Sequence, residues 1–368
     1  MRICYLAPAE SAHIEKWCAQ MAGYGHDVHV ISLREGTLPQ ATLHCLGTNV
    51  DRQQSDFKKL AYLTAIPKVK KIIRELDPDV THAHYASSYG LIASFACDRP
   101  YYLSVWGADV YDFPKKSPLH RKAVERSLNH AYWLMSTSKA MAQETSQYTN
   151  KTFEITPFGV DMELFSPAKR TRGDENRRYV VGTVKALEPK YGISVLLRAV
   201  AQVLENRPDI PIEVRIAGKG SQRDELENLA KELGIAGKVT WLGFISQEMA
   251  AYEWANMDTA VVMSESESES FGVSCVEAQA SGVPVIYSDI PGLMEASGGG
   301  ETGICLHRGD VGALARNLIY LYDNPENRHQ IGARGRDYVS GVYDIASCFK
   351  KIEAIYRRNL ASEEAGYR

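Results

Sequence analysis

Hydrophobic residues along the chain fall into two kinds of run that alternate. Short runs rich in β-branched and aromatic residues are followed by longer runs in which apolar positions recur every three to four residues. In the first half, Arg2–Ala7, Asp27–Ser32, Asp79–Ala83, Tyr101–Val105 and Trp133–Ser136 are of the first kind. Ser11–Ala22 and Phe57–Glu75 are of the second, the latter with Leu60, Leu63, Val69, Ile72 and Ile73 along one side. The first kind predicts strands and the second amphipathic helices. Strands separated by helices predict a parallel sheet covered on both faces.

The alternation lapses around Pro167–Asn176, where Ser-Pro-Ala-Lys-Arg-Thr-Arg-Gly-Asp-Glu-Asn is polar, charged and broken by Pro and Gly, as suits a linker. It then starts afresh. Tyr179–Val184, Ile212–Ala217, Val239–Leu242, Thr259–Met263 and Val283–Tyr287 read as strands, and Ile193–Glu205, Asp224–Leu233 and Phe271–Ala280 as helices. Beyond Leu314 only helical runs follow: Leu314–Tyr322, Glu326–Val339 and Ala346–Leu360. A chain of 368 residues is too long for one ordinary core. The expected fold is therefore α/β, with two doubly wound Rossmann-like domains. The first spans 1–168 and is joined by the C-terminal helix at about 344–368; the second spans 177–343. Such sheets bind ligands at the carboxyl ends of their strands, which places a ligand in a cleft if the two edges face each other.

Composition narrows the function classes. A net charge of −3 gives no polybasic footprint for nucleic acid. The opening Met-Arg-Ile-Cys-Tyr-Leu-Ala-Pro-Ala-Glu breaks its apolar run at Pro8 and Glu10, unlike a secretory leader, and no run is long enough to span a membrane. The seven cysteines are scattered without a Cys-x-x-Cys pair, which fits reduced thiols in a cytoplasmic protein. Basic, aromatic stretches such as Lys58–Arg74 and Lys115–Arg126 leave peripheral contact with the inner face of a membrane open, although solvated faces are the simpler reading.

The richest stretch for chemistry is Ser264–Ile286, Ser-Glu-Ser-Glu-Ser-Glu-Ser-Phe-Gly-Val-Ser-Cys-Val-Glu-Ala-Gln-Ala-Ser-Gly-Val-Pro-Val-Ile. It joins two predicted strands through a helix opening near Phe271-Gly272. A helix start offers free N–H groups and the positive end of a dipole, suited to phosphate or carboxylate oxygens. Glu269 stands just before that helix and Glu277 two turns into it, so two acceptor-only carboxylates could bracket a polyhydroxylated ligand. Glu265 and Glu267 have the wrong spacing and read as solvated loop charges.

Glu269, seven residues, then Glu277, with Phe271-Gly272 between and Ala-Ser-Gly-Val-Pro-Val-Ile after, resembles the signature of the retaining glycosyltransferases of family 4, which have the GT-B fold. The resemblance runs from about Ile3 to Tyr356. It implies transfer of a sugar from a nucleotide-diphosphate donor, most often a UDP-sugar, to a hydroxyl acceptor, as in bacterial glycan or glycolipid assembly. It also implies that Glu269 contacts the donor sugar, that the backbone of Phe271, Gly272 and Val273 holds sugar and diphosphate, and that Glu277 takes the ribose hydroxyls.

A departing diphosphate needs a metal or fixed cations to carry its charge. Lys185 and Lys190, five apart in the loop after Tyr179–Val184, resemble the family's Arg-x4-Lys pair, with Lys in place of Arg. Lys is a point charge without the bidentate fork. Asp77-Pro-Asp79 matches a metal-binding Asp-x-Asp string but sits at a helix-to-strand joint, where it reads as turn chemistry. His82 and His84 are expected on opposite faces of their strand, which counts against joint metal ligation. No cofactor and no catalytic metal are therefore expected.

The first domain supplies further candidates by resemblance. Asp79–Gly90 resembles the family's strand ending in His-x-His, whose second His reaches the donor sugar, here His84. Ser104-Val-Trp-Gly-Ala-Asp-Val110 resembles an acceptor-side segment that includes Trp106, where Asp109 could orient or deprotonate an acceptor hydroxyl or equally cap the next helix. The family's Gly-Gly loop after the first strand is absent. Ser11 can still cap the first helix, and His13 could face the site. Ala217-Gly-Lys-Gly220 is similar to the family's Gly-x-Gly turn, which puts Gly218 near the donor, though it also suits a plain tight turn. Two other classes share parts of this pattern: a nucleotide-sugar epimerase on the same scaffold, and a non-catalytic sugar- or nucleotide-binding protein, though such two-domain binders are typically exported.

Overall fold

The computed structural model describes residues 1–47, 64–171 and 178–366. The chain forms two compact units, Met1–Phe158 together with Ala346–Arg368, and Gly159–Ile345.

The first unit is built on a seven-stranded sheet: β1 (Arg2–Leu6), β2 (Asp27–Ser32), β3 (Thr42–Cys45), β4 (Val80–His84), β5 (Tyr102–Val105), β6 (Trp133–Ser136) and β7 (Phe153–Ile155). Their order is β3-β2-β1-β4-β5-β6-β7, and every pairing is parallel. All five residues of β4 and four of five in β1 are buried, the near-continuous burial of strands covered on both faces. One face of the sheet packs Leu6, Ile31, Ala83 and Leu103 against Val124 and Leu128 of the Pro118–His130 helix. The Ile66–Leu76 helix, the described part of the Phe57–Glu75 reading, carries Pro67 in its first turn and ends at Asp77 with φ 43°. Asp79 accepts the Arg2 N–H at 2.7 Å and Asp77 pairs with Arg99 at 2.8 Å. Asp77-Pro-Asp79 is thus engaged in turn and sheet-edge contacts.

The Ile345–Gly366 helix returns to this unit. Phe349 and Tyr356 are fully buried. Phe349 meets Trp17 edge-to-face at 5.3 Å, Tyr24 donates to Ala346 O at 3.2 Å and Lys351 to Ile155 O at 2.8 Å.

The second unit carries a six-stranded parallel sheet: β8 (Tyr179–Val184), β9 (Ile212–Ala217), β10 (Val239–Gly243), β11 (Thr259–Val262), β12 (Val285–Ser288) and β13 (Ile304–Leu306), in the order β10-β9-β8-β11-β12-β13. Val181, Val214 and Val261 pack with Leu197 of the Ile193–Asn206 helix and Leu318 of the Val311–Asp323 helix. In both sheets the order reverses at one place, between β1 and β4 and between β8 and β11. The loops leaving those strands diverge there and open a crevice.

The division between units falls earlier than 168. Val160 N donates to Tyr343 O at 2.8 Å, and Arg336 donates to Phe165 O and Met162 O at 3.0 and 3.4 Å, so the segment before the polar run belongs to the second unit. The polar run itself starts on that unit, with Arg170 paired to Asp258 at 2.7 Å; Arg172–Asn176 lie outside the described residues. Lys58 and the first turns of the Phe57–Glu75 reading lie outside them too.

Candidate functional site

The residues singled out in the second half converge on the carboxyl edge of the second sheet, where β8 and β11 part. Lys185 leaves β8 and Glu269 lies in the loop after β11, 84 positions on, yet Lys185 Nζ stands 2.6 Å from Glu269 Oε2. Their side chains are 12% and 8% exposed. Burial is the largest influence on Lys185 and works to lower its pKa, but the charge of Glu269, the Tyr191 hydroxyl and the hydrogen bond to Glu269 together outweigh it, leaving the ammonium above the ordinary lysine value. Lys190 lies on the same loop, with Nζ 3.4 Å from Ser268 Oγ. Glu265 and Glu267 are exposed, as solvated loop charges should be.

Gly272 starts the Val273–Ala280 helix from φ 76°, a left-handed turn that a side chain would strain, and a Cβ there would meet Leu293 Cδ2 at 2.9 Å. The turn aims the first N–H groups of the helix at the strand edge, where anions are favoured. Ser274 Oγ donates to Val184 O at 2.9 Å, tying that helix to the end of β8. The Phe271 side chain packs inward, edge-to-face on Tyr343 at 5.4 Å, so only its backbone is offered to a ligand. Glu277 is buried and accepts from Trp254 Nε1 at 3.4 Å. Gly218 is placed by close packing: a Cβ there would stand 1.8 Å from Lys185 O, and Gly218 N donates to Gly243 O at 2.7 Å. The Gly-x-Gly turn is thereby a support beneath the lysine loop.

In the first unit, aromatic rings and imidazoles crowd the end of β1 and β4. His84 is fully buried, with His82 at 4.3 Å, Trp106 at 4.6 Å, Trp17 at 4.8 Å and Tyr5 at 5.4 Å between ring centroids. Neither ring nitrogen has a hydrogen-bond partner among the described residues. Burial, and then His82, hold its pKa well below the ordinary value, so the ring is neutral. These rings close His84 off from solvent. The expectation that His82 and His84 face opposite ways is overturned: residues two apart on a strand share a face, and these rings stack at 23°. His82 is also tied at both nitrogens, Nδ1 to Tyr356 OH at 2.6 Å and Nε2 to Ser104 Oγ at 2.8 Å.

Asp109 does not cap the helix: it lies within Ala108–Tyr111, whose N-cap is Gly107, and its carboxylate turns back to backbone ahead of that helix. Oδ1 accepts the N–H groups of Gly107 at 2.9 Å and Trp106 at 3.2 Å, and Oδ2 accepts that of Ala86 at 2.8 Å. The carboxylate is a latch between the loops leaving β4 and β5, with its lone pairs committed to backbone. Burial pushes its pKa up, and these hydrogen bonds oppose that. Ser11 occupies the N-cap of the Ala12–Gly23 helix, but its side chain makes no capping hydrogen bond. His13 stacks on Phe158 at 4.1 Å and meets Trp106 edge-on at 5.7 Å. Burial, with Lys16 adding, pushes its pKa down to about 4.

Trp254 and Tyr191 were not singled out from the sequence. Trp254 lies on the Gln247–Ala255 helix, whose apolar positions follow no clear stripe, and Tyr191 is next to Lys190. Two surface cavities, of about 380 and 390 Å³, lie at the opposite, amino-terminal ends of the two sheets. Among the described residues no group of three or more His, Cys, Asp or Glu is placed to hold a metal ion.

Comparison with known proteins bears on this arrangement. Residues 166–338 match the family model of glycosyl transferases group 1, and residues 2–138 that of glycosyl transferase 4-like domains. The chain belongs to the group 1 glycosyltransferases. A D-inositol 3-phosphate glycosyltransferase of Corynebacterium aurimucosum is 29% identical over 328 residues, covering 78% of this glycosyltransferase and 74% of the relative. That of Corynebacterium urealyticum is 31% identical over 271 residues, 68% of this chain and 62% of the relative. Among solved structures, HepE of Anabaena in complex with UDP superimposes with a TM-score of 0.81 at 20% identity, covering 97% of this chain and all of HepE. Sucrose-phosphate synthase of Thermosynechococcus elongatus gives 0.84 at 19% identity, covering 98% and 100%. These likenesses establish the GT-B fold of the glycosyltransferase. No described helix is long and apolar enough to cross a membrane.

Proposed function

We propose that this glycosyltransferase moves a hexosyl group from a UDP-sugar to a hydroxyl acceptor, with retention at the anomeric carbon and without a metal. The observation that carries the reading is the buried Lys185–Glu269 pair beside Lys190, at the edge where β8 and β11 part and the Val273–Ala280 helix begins. The lysines and the helix start supply positive potential for a diphosphate, while Glu269 and Glu277 accept hydrogen bonds from sugar and ribose hydroxyls. When the glycosidic C–O bond breaks, the electron pair passes to the β-phosphate oxygen, where Lys185 and Lys190 stabilise it. The acceptor oxygen bonds to the anomeric carbon on the face the diphosphate leaves, and its proton passes to that departing phosphate. This route needs no protein base, which fits an Asp109 engaged by backbone. Trp106, packed on His84, and His13 would form the acceptor-side wall, and acceptors from glycan or glycolipid assembly on the cytoplasmic face of a membrane fit the resemblance.

The test is thermal stabilisation by nucleoside diphosphates and their sugars, with and without EDTA, followed by NMR of the anomeric configuration of the product. A shift with UDP or a UDP-sugar that survives EDTA and is lost in Glu277→Ala supports the donor site. No shift with any nucleotide overturns it, interconversion of donor sugars without an acceptor supports an epimerase, and an inverted product removes the retention step.

A further inference from the structure

Two ammonium groups gathered for a diphosphate repel each other until the ligand arrives. The usual remedy is a carboxylate for each, but the acid within this loop, Glu188, is drawn aside by Ser221, whose N–H and Oγ both bond its carboxylate, at 3.0 and 2.5 Å. Glu269 pairs with Lys185. Both lysines share another neighbour: Lys185 Nζ stands 4.5 Å and Lys190 Nζ 5.0 Å from the centroid of the Tyr191 ring. Both distances are within cation–π reach.

The backbone that carries the ring is held firmly. Tyr191 N donates to Glu188 O at 3.0 Å, closing the Pro189–Tyr191 turn, and Glu265 N donates to Lys190 O at 2.8 Å. The next residue, Gly192, lies so close to the end of β11 that a Cβ would stand 1.9 Å from Met263 O. The platform is thus pinned between the two strands whose loops form the site. Its position also answers the replacement of Arg by Lys: a point charge on a flexible stem gains direction from a ring on an anchored turn.

We propose that Tyr191 is a positioning residue that holds Lys185 and Lys190 ready for a diphosphate, a role that rests on the reading of these lysines as the donor's phosphate site. The aromatic face attracts both cations without neutralising them, so the charge stays available to the ligand.

The test compares binding of UDP and of uridine, by calorimetry or ligand-observed NMR, to the full-length wild type and to Tyr191→Phe, Tyr191→Leu and Lys190→Met. Tyr191→Leu should weaken UDP about tenfold, the range of one to two cation–π contacts. Tyr191→Phe should stay within about twofold of wild type, since the ring face remains. Uridine, which has no phosphates, should bind all four proteins alike. Tyr191→Leu with wild-type UDP affinity overturns the proposal, as does an equal loss for uridine, which would mark a general structural role. Lys190→Met that leaves UDP affinity unchanged overturns the phosphate-site reading itself. Lys190→Met that weakens UDP while Tyr191→Leu does not overturns the role of Tyr191 alone.

Discussion

Replacing Lys185 by Met should expose how strongly the site is held together before any ligand binds. The substitution keeps the length of the side chain and removes its charge, leaving Glu269 as a carboxylate that is only 8% exposed. Removing one partner of a buried pair costs about 3–5 kcal/mol, because the remaining charge has neither water nor a counter-ion. For a unit of this size, that lowers the melting temperature by roughly 6–20 °C. Changing both partners, Lys185→Met with Glu269→Gln, should recover most of the loss, since no uncompensated charge remains. In the wild type the lysine titrates above its ordinary value, so the contribution of the pair is complete below about pH 10.4, the unfolded value, and fades only as pH rises through the higher folded one. The wild type should therefore show no change from this pair between pH 6 and 9. Differential scanning calorimetry between pH 6 and 9, on the wild type and the two variants, measures all of this. A Lys185→Met protein melting within a degree or two of wild type between pH 6 and 9 would refute the reasoning.

Asp109→Ala should destabilise the first unit by about 2–4 kcal/mol, since three buried N–H groups lose an acceptor; Asp109→Asn, which keeps one acceptor oxygen, should lose less, and a stable Asn variant with kcat down a hundredfold would restore the base role instead. Tyr356→Phe removes the partner of His82 Nδ1 and should cost about 1–2 kcal/mol in urea unfolding, with no loss if that nitrogen finds another partner. His13 is held neutral, so its folded pKa of about 4 should appear in an NMR titration, and its share of stability should decline as pH falls from about 6.5 toward 4; a midpoint near 6.5 would show the stacked site to be open to water. Glu277→Gln should weaken UDP binding about tenfold with little change in melting temperature, measured by calorimetry; unchanged affinity would remove Glu277 from the donor site.

The alternation of runs was enough to read both sheets, because their central strands are buried on both faces and carry continuous apolar stretches. The edge strands β3, β7 and β13 were not read: they are three or four residues long and half-buried, and lack such a stretch. The spacing of Glu269 and Glu277 was legible because both lie on one strand–loop–helix passage. The Lys185–Glu269 contact was not, since two residues 84 positions apart carry no pairwise signal. Asp109 was ambiguous because a carboxylate facing solvent and one taking three backbone N–H groups look alike in sequence, and only the convergence of the β4 and β5 loops decides between them. The early unit boundary escaped notice because Arg336 and Tyr343, which hold Phe165 and Val160, lie far along the chain.

The returning helix has a consequence for biosynthesis. The second unit is one continuous stretch, so it can fold as soon as it clears the ribosome. The first unit is made earlier but stays unfinished: its Trp17 and His82 await Phe349 and Tyr356, which arrive only after the whole second unit has been translated. Throughout that interval a patch of aromatic surface around Trp17 and His82 stands open to water and to chaperones. The part of this enzyme that is synthesised first is thus the part that matures last.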